Sequence, residues 1–378
     1  IGYTIAMPLM GKVSDVYGHR RVYIVCIIIF AGASFFCGQA SSLGWLVFFR
    51  VIQAIGGGAI IPIAMSLVGF LFPPRQRALA LGAIGAVAEA GSVLGPVYGG
   101  LITGSWGWRW IFYINLPVSV IIIGLVLYLL RGSPGHKMRI DYGGSALIGA
   151  SLCALTIGVT LIGGHDVSWM VPTALLVGTV LLFAGFLYVE TRVPEPIIPL
   201  RLFRNRTFTS ANLVNFFVGS VLIVAMVDVP IFTSTLKGGT PGQVGLATMV
   251  LTGPMPIGAL LGGVFAERVG YRLVTAAGLV LCSVGFFLMS TWTAAVSYLS
   301  MVPGLLLAGF GFGIVIAPIG ASVLNTVGRW EKGLASALVT VMRMTGMMLG
   351  LSVMTAWGLS SFNATLSQVS MNLTAGQT

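Results

Sequence analysis

Charge is what this sequence has least of. Only 8% of its 378 residues are Asp, Glu, Lys or Arg, while 57% are hydrophobic. A water-soluble surface needs roughly 25% charged residues, so a soluble globular domain is excluded. The patterns of catalysis are missing too: the sequence has no HExxH, GxSxG, CxxC or phosphate-loop motif. Its four cysteines, Cys26, Cys37, Cys153 and Cys282, are scattered through apolar stretches without metal-ligand or redox spacing, which reads as small core residues. His19, His136 and His165 fall in segments read as loops. Neither an enzyme nor a metal site is expected. The net charge of +11 would suggest nucleic acid in a soluble protein, but here the basic residues sit in short connections between apolar runs and no nucleic-acid partner is expected.

Those runs occur at about 1–11, 22–42, 43–72, 78–103, 110–130, 143–163, 169–189, 207–236, 244–266, 273–293, 297–324 and 334–360. All but the first are long enough to cross ~30 Å of hydrocarbon as helix. The chain opens at Ile1 inside the first run, which reads as a truncated span and not as a signal peptide. Sixteen of the 20 Lys and Arg fall in alternate connections: Lys12, Arg20 and Arg21; Arg75 and Arg77; Arg131, Lys137 and Arg139; Arg192, Arg201, Arg204 and Arg206; Arg268 and Arg272; Arg329 and Lys332. The opposite side carries Arg109 and Lys237, and Arg50 and Arg343 lie within spans. The positive-inside rule makes the basic side cytoplasmic.

An internal repeat organises the chain. Gly11, Asp15, Gly18 and Arg20 in GKVSDVYGHRR recur 252 residues later as Gly263, Glu267, Gly270 and Arg272 in GVFAERVGYRL. Two related halves imply a pseudo-symmetric membrane carrier with its site between them. The division expected is an N-terminal lobe over 1–130, a linker with two extra spans over 131–206 and a C-terminal lobe over 207–378. In the repeated segment the glycines permit a tight turn and close helix approach, and Asp15 can cap a neighbouring helix start or pair with Arg20 or Arg21. Such a latch would hold the halves in one state and release them in the other; a solvated charged turn is the alternative.

GKVSDVYGHRR resembles the signature loop of the major facilitator superfamily. RVIQAIGGGA from Arg50 resembles that family's fourth-helix motif, and GSVLGPVYGG from Gly91 the fifth-helix motif of its drug:proton antiporters. In the latter, Gly91, Gly95, Gly99 and Gly100 would make a bare packing face, kinked by Pro96. WGWRWIFYINLP from Trp106 and the linker pair are similar to the fourteen-helix branch. The resemblance implies an all-α integral membrane protein of two six-helix lobes plus a linker insertion, with the first and last helices absent from this chain. It also implies export, driven by a proton gradient without other cofactor. ALVTVMRMTGMMLGLSVMTAWGL, around Arg343, together with Glu89 in GAVAEAGSVLGP, resembles the mycobacterial triacylglyceride exporters, which work with a lipoprotein partner. Multidrug efflux is the alternative. A non-transporting scaffold of the same fold, or a passive lipid pathway without proton coupling, are readings of another class.

Four ionisable residues lie at membrane depth, where each is a functional candidate. Glu89 and Arg343 stand ~16 Å and ~14 Å from the cytoplasmic ends of their spans and are 254 residues apart, close to the repeat offset. They are expected to form an ion pair across the central cleft, and a carboxylate parted from its arginine in a low-dielectric cavity takes up a proton more readily. A structural pair, or separate partners, is the alternative. Arg50 lies in a motif whose arginine the family resemblance associates with proton coupling. Asp228 falls in the outer part of its span, facing either the cavity or the outer interface. Gln53, Asn212 and Asn215 read as helix-joining groups. After Leu359 the chain either continues as helix ~20 Å beyond the outer face, suited to handing a lipid to an outer partner, or forms a polar loop.

Overall fold

The computed structural model describes residues 10, 13–130, 142–162, 168–193, 200–328 and 331–375. All regular structure among them is helical. The N-terminal half contains α1 (His19–Gly38), α2 (Leu43–Leu71), α3 (Pro74–Trp106) and the short α4 (Trp110–Tyr113), which runs into α5 (Asn115–Leu129). A linker pair follows, α6 (Tyr142–Ile162) and α7 (Met170–Glu190). The C-terminal half contains α8 (Arg206–Ile231), ending in a π-helical turn (Phe232–Leu236), then α9 (Pro241–Thr252), α10 (Pro254–Val269), α11 (Tyr271–Ser290), α12 (Tyr298–Asn325) and α13 (Lys332–Ala375). Nine helical stretches among the described residues are long and apolar enough to cross a membrane. The apolar run at 1–11 falls almost wholly outside the described residues.

Every other apolar run of the sequence is helical, two of them divided in two, and those breaks follow proline chemistry. The run at 244–266 is two helices, because Pro254 and Pro256 leave the carbonyls of Val250 and Thr252 without an amide donor four residues on. Pro117 does the same to Tyr113, where α4 gives way to α5. Caps close the other ends: Ser42 accepts from the Trp45 amide, Asn205 from Thr207 and Phe208, and Thr240 and Gln243 form a reciprocal capping box before α9.

Within the C-terminal half α12 is the central helix, packed on α10 and α11, with Val315, Ala317, Ala321 and Leu324 fully buried. In the N-terminal half α2 packs on α1, and α1 on α5. The two lobes meet where α3 packs on α10 and α12, and where α2 packs on α13. The linker helices pack on each other, and α6 reaches α13 through Thr156, whose Oγ1 lies 3.3 Å from the Met348 sulfur. As the helical alternative required, α13 is one unbroken helix of 44 residues, Lys332–Ala375, that continues past Leu359. That is ~66 Å, about twice the ~30 Å hydrocarbon thickness.

Candidate functional site: the interlobe ion pair and its cytoplasmic latch

A largely buried polar contact between the lobes is made by Glu89 on α3 and Arg343 on α13. Arg343 Nη1 stands 3.7 Å from Glu89 Oε1, and both side chains are largely buried. The surroundings are apolar: Ile61 and Met65 of α2, Ile84 and Ala88 of α3, Ile316 of α12 and Val339 of α13 line the same small cavity, with Asn215 and Thr340 as its other polar members. At about 30 Å³ it admits a water or two and excludes any substrate. The geometry is a loose ion pair and not a bidentate clamp. Arg343 is backed by a close helix crossing: a Cβ on Gly219 of α8 would stand 2.2 Å from the Arg343 carbonyl oxygen, and one on Gly346 would stand 1.9 Å from that of Phe216. Ser220 Oγ donates to the Gly346 carbonyl at 2.9 Å, and Asn215 to that of Val339. Glycine thus sets the depth and azimuth at which the guanidinium meets the carboxylate.

Nearer the basic end the repeated segment builds a latch from both halves. Asp15, 5% exposed, accepts from the amides of Gly333 (3.0 Å) and Leu334 (3.1 Å). These are orphan donors of the first turn of α13, so an N-lobe carboxylate caps a C-lobe helix and sits at the positive end of its dipole. Reciprocally, Glu267 at the end of α10 accepts from the Leu79 amide in α3 at 2.9 Å. Gly18 (φ 88°) and Gly270 (φ 99°) take the same left-handed turn before α1 and α11. Gly263 lies within α10 and not in a loop; a Cβ there would stand 2.5 Å from the Ala78 carbonyl of α3, and one on Gly82 would stand 2.6 Å from that of Ala259. Arg20 donates to the Leu127 carbonyl near the end of α5 at 2.9 Å, and Arg21 is exposed. Gly11 lies outside the described residues. Arg77 Nη1 to Asn325 Oδ1 at 2.6 Å adds a further tie between the lobes. His19, read from sequence as a loop residue, is the first residue of α1 and is buried beside Asp15 (3.7 Å) and Ser66 (3.3 Å), its ring edge-on to Phe70.

The other candidates lie elsewhere. Arg50 donates to Gln53 (2.8 Å), which donates to Ser34 of α1, and its guanidinium rests over the Phe112 ring at 5.5 Å. Gln53 and Asn215 therefore join helices, whereas Asn212 bonds Phe208 of its own helix. Asp228 lines a lateral outer cavity of about 410 Å³ with Phe232, Phe286 and Trp292, and shares no wall with the Glu89–Arg343 pocket. Arg272 borders a second lateral cavity, of about 900 Å³, between α8 and α11. Gly91, Gly95 and Gly99 have no described atom within 4 Å of where a Cβ would stand, so no packing partner for this face is among the described residues. At ~100° per residue it points away from the Glu89 face. Pro96 and Gly100 lie in the unbroken run of α3.

Two helical lobes, tied at one end by the Asp15 cap and the Glu267–Leu79 bond and joined further in by the Glu89–Arg343 pair, have the architecture of a membrane carrier. The Major Facilitator Superfamily model matches residues 1–350, and the chain belongs to that family: it is a multi-pass membrane transporter, not an enzyme. Multidrug resistance protein 3 of Bacillus subtilis is 33% identical over 353 residues, covering 92% of this chain and 68% of that protein. A triacylglyceride transporter of Mycolicibacterium hassiacum is 34% identical over 383 residues, covering 97% and 72%. Among solved structures, the human organic anion transporter MFSD10 superposes with a TM-score of 0.68 at 17% identity, over 94% of this chain and 75% of that one. The proton:xylose symporter XylE gives 0.65 at 14%, over 98% and 78%. Both structures share the fold.

Proposed function

We propose that this chain is a proton-coupled exporter of lipophilic molecules in the inner membrane, and that its first substrate class is a triacylglyceride-like lipid. The observation that carries the reading is the Glu89–Arg343 pair, which joins the two lobes inside an apolar pocket. A carboxylate whose cationic partner belongs to the other lobe loses that partner when the lobes part, and in this reading the coupling proton takes the place of the arginine. Re-pairing with Arg343 expels the proton, so protonation and lobe position are linked. Around the pair the wall is Ile, Met, Val and Ala with few polar fixtures, and this apolar surface is what the lobes would expose to a lipophilic substrate on parting. The similarity to triacylglyceride transporters supports the lipid, and a lipoprotein partner on the outer face would receive it from the extended α13. Multidrug efflux is the second reading, supported by similarity of the same order to Bacillus multidrug proteins.

The test is export from cells of a labelled triacylglyceride and of a fluorescent lipophilic drug, with and without a proton gradient. Gradient-dependent lipid export supports the first reading; gradient-dependent export of the drug alone supports the second. Movement of neither, or movement indifferent to the gradient, overturns both.

A further inference from the structure

Lys332 breaks a local rule. It is the first residue of α13, where the helix dipole disfavours a cation, and it is only 5% exposed, although a buried ammonium is strongly disfavoured unless paired. Its Nζ donates to the carbonyl of Gly69, in the last turn of α2 on the opposite lobe. That carbonyl is in need of a donor: the amide that would normally satisfy it, four residues on, belongs to Pro73, which has none. The stem packs closely on the helix: a Cβ on Gly69 would stand 2.8 Å from Lys332 Cδ. One turn further along α13, Ser336 Oγ donates to the Pro62 carbonyl of the same helix α2 at 2.7 Å.

We propose that Lys332 is a gating residue, the positive arm of a crossed clamp whose negative arm is Asp15. Asp15, from the N-terminal lobe, holds the positive end of α13; Lys332, from the C-terminal lobe, holds the negative end of α2. Each charge hydrogen-bonds the opposite lobe's helix terminus, with His19 buried beside Asp15, and both contacts exist only while the basic end is closed. Parting the lobes releases both into water. Lys332 is thus a positioning residue for the closed state, whatever substrate the transporter carries.

The experiment measures the distance between spin labels at Gln76→Cys and Leu273→Cys, on the cytoplasmic ends of the two lobes, in a Cys153→Ser background of the membrane-embedded protein. Lys332→Met keeps the stem and removes the donor. It should raise the ratio of open to closed basic end about tenfold, the effect of one hydrogen bond from a charged group. Gly69→Ala keeps the lysine but displaces its stem, and should shift the ratio in the same direction. The double variant should shift it by no more than the larger single one, because both act on one contact. A purely structural lysine would lower thermal stability and leave the distance distribution unchanged. That result for both single variants, or additive shifts in the double variant, overturns the proposal.

Discussion

Replacing Asp15 by Asn should open the cytoplasmic end of the transporter. The carboxylate accepts two amide hydrogen bonds, at 3.0 and 3.1 Å, from the first turn of α13 while only 5% exposed. Hydrogen bonds to a charged group contribute about 1.5–3 kcal/mol, and a charge at a helix terminus about 0.3–1 kcal/mol. An amide retains one acceptor, turns a donor toward the other N–H and loses the charge, so a net loss of about 2 kcal/mol is expected, confined to the closed state. At 1.4 kcal/mol per factor of ten this is roughly a 30-fold shift toward the open basic end. Glu267→Gln is the internal comparison: Glu267 is exposed and makes one such bond, so the shift there should be only a few-fold. Distances between the two cytoplasmic label sites report both populations in one assay. Equal shifts for the two variants, or no shift for Asp15→Asn, would refute the reasoning that burial and the double cap set the strength of the latch.

Other expectations rest on single contacts. Gly219→Ala should lower thermal stability by roughly 1–3 kcal/mol, because its Cβ would meet the Arg343 carbonyl at 2.2 Å, and it should slow transport through the displaced Arg343; melting and transport measured together check this. Gly263→Ala meets the Ala78 carbonyl of the other lobe at 2.5 Å, so it should favour the open basic end in the label distances while leaving the melting of the lobes nearly unchanged. Glu331→Gln removes the ion pair to Arg201, whose side chain is 73% exposed, and should change stability by no more than about 1 kcal/mol in a melting measurement.

How much of this was legible beforehand depends on the kind of information each residue carries. Matched depth and a near-repeat spacing were enough to suggest that Glu89 and Arg343 face each other, because both quantities follow from counting along helices. A cap by Asp15 was one of three readings the sequence allowed, beside pairing with Arg20 or Arg21 and a solvated turn, and neither the choice among them nor the helix capped could be read before the lobes were placed together. Faces were harder: the spans are apolar all round, so periodicity does not say which side of α8 carries Asp228 toward a lateral cavity. The break between α9 and α10 had its signal in Pro254 and Pro256, masked by unbroken hydrophobicity. Lys332 counted only as one more cytoplasmic charge. Its role needed the proline four residues after Gly69 and the knowledge that α2 and α13 touch, and the second comes from tertiary structure alone.

The central claim is that Glu89, alternately paired with Arg343 and protonated, links proton entry to export. Reconstituted protein in vesicles carrying an internal pH indicator tests it most directly, with a lipophilic substrate gradient as the only driving force. For the wild type, substrate movement should drive protons the opposite way; in Glu89→Gln the substrate should equilibrate without moving protons, or not move at all. Substrate-driven proton movement that persists unchanged in Glu89→Gln would contradict the account.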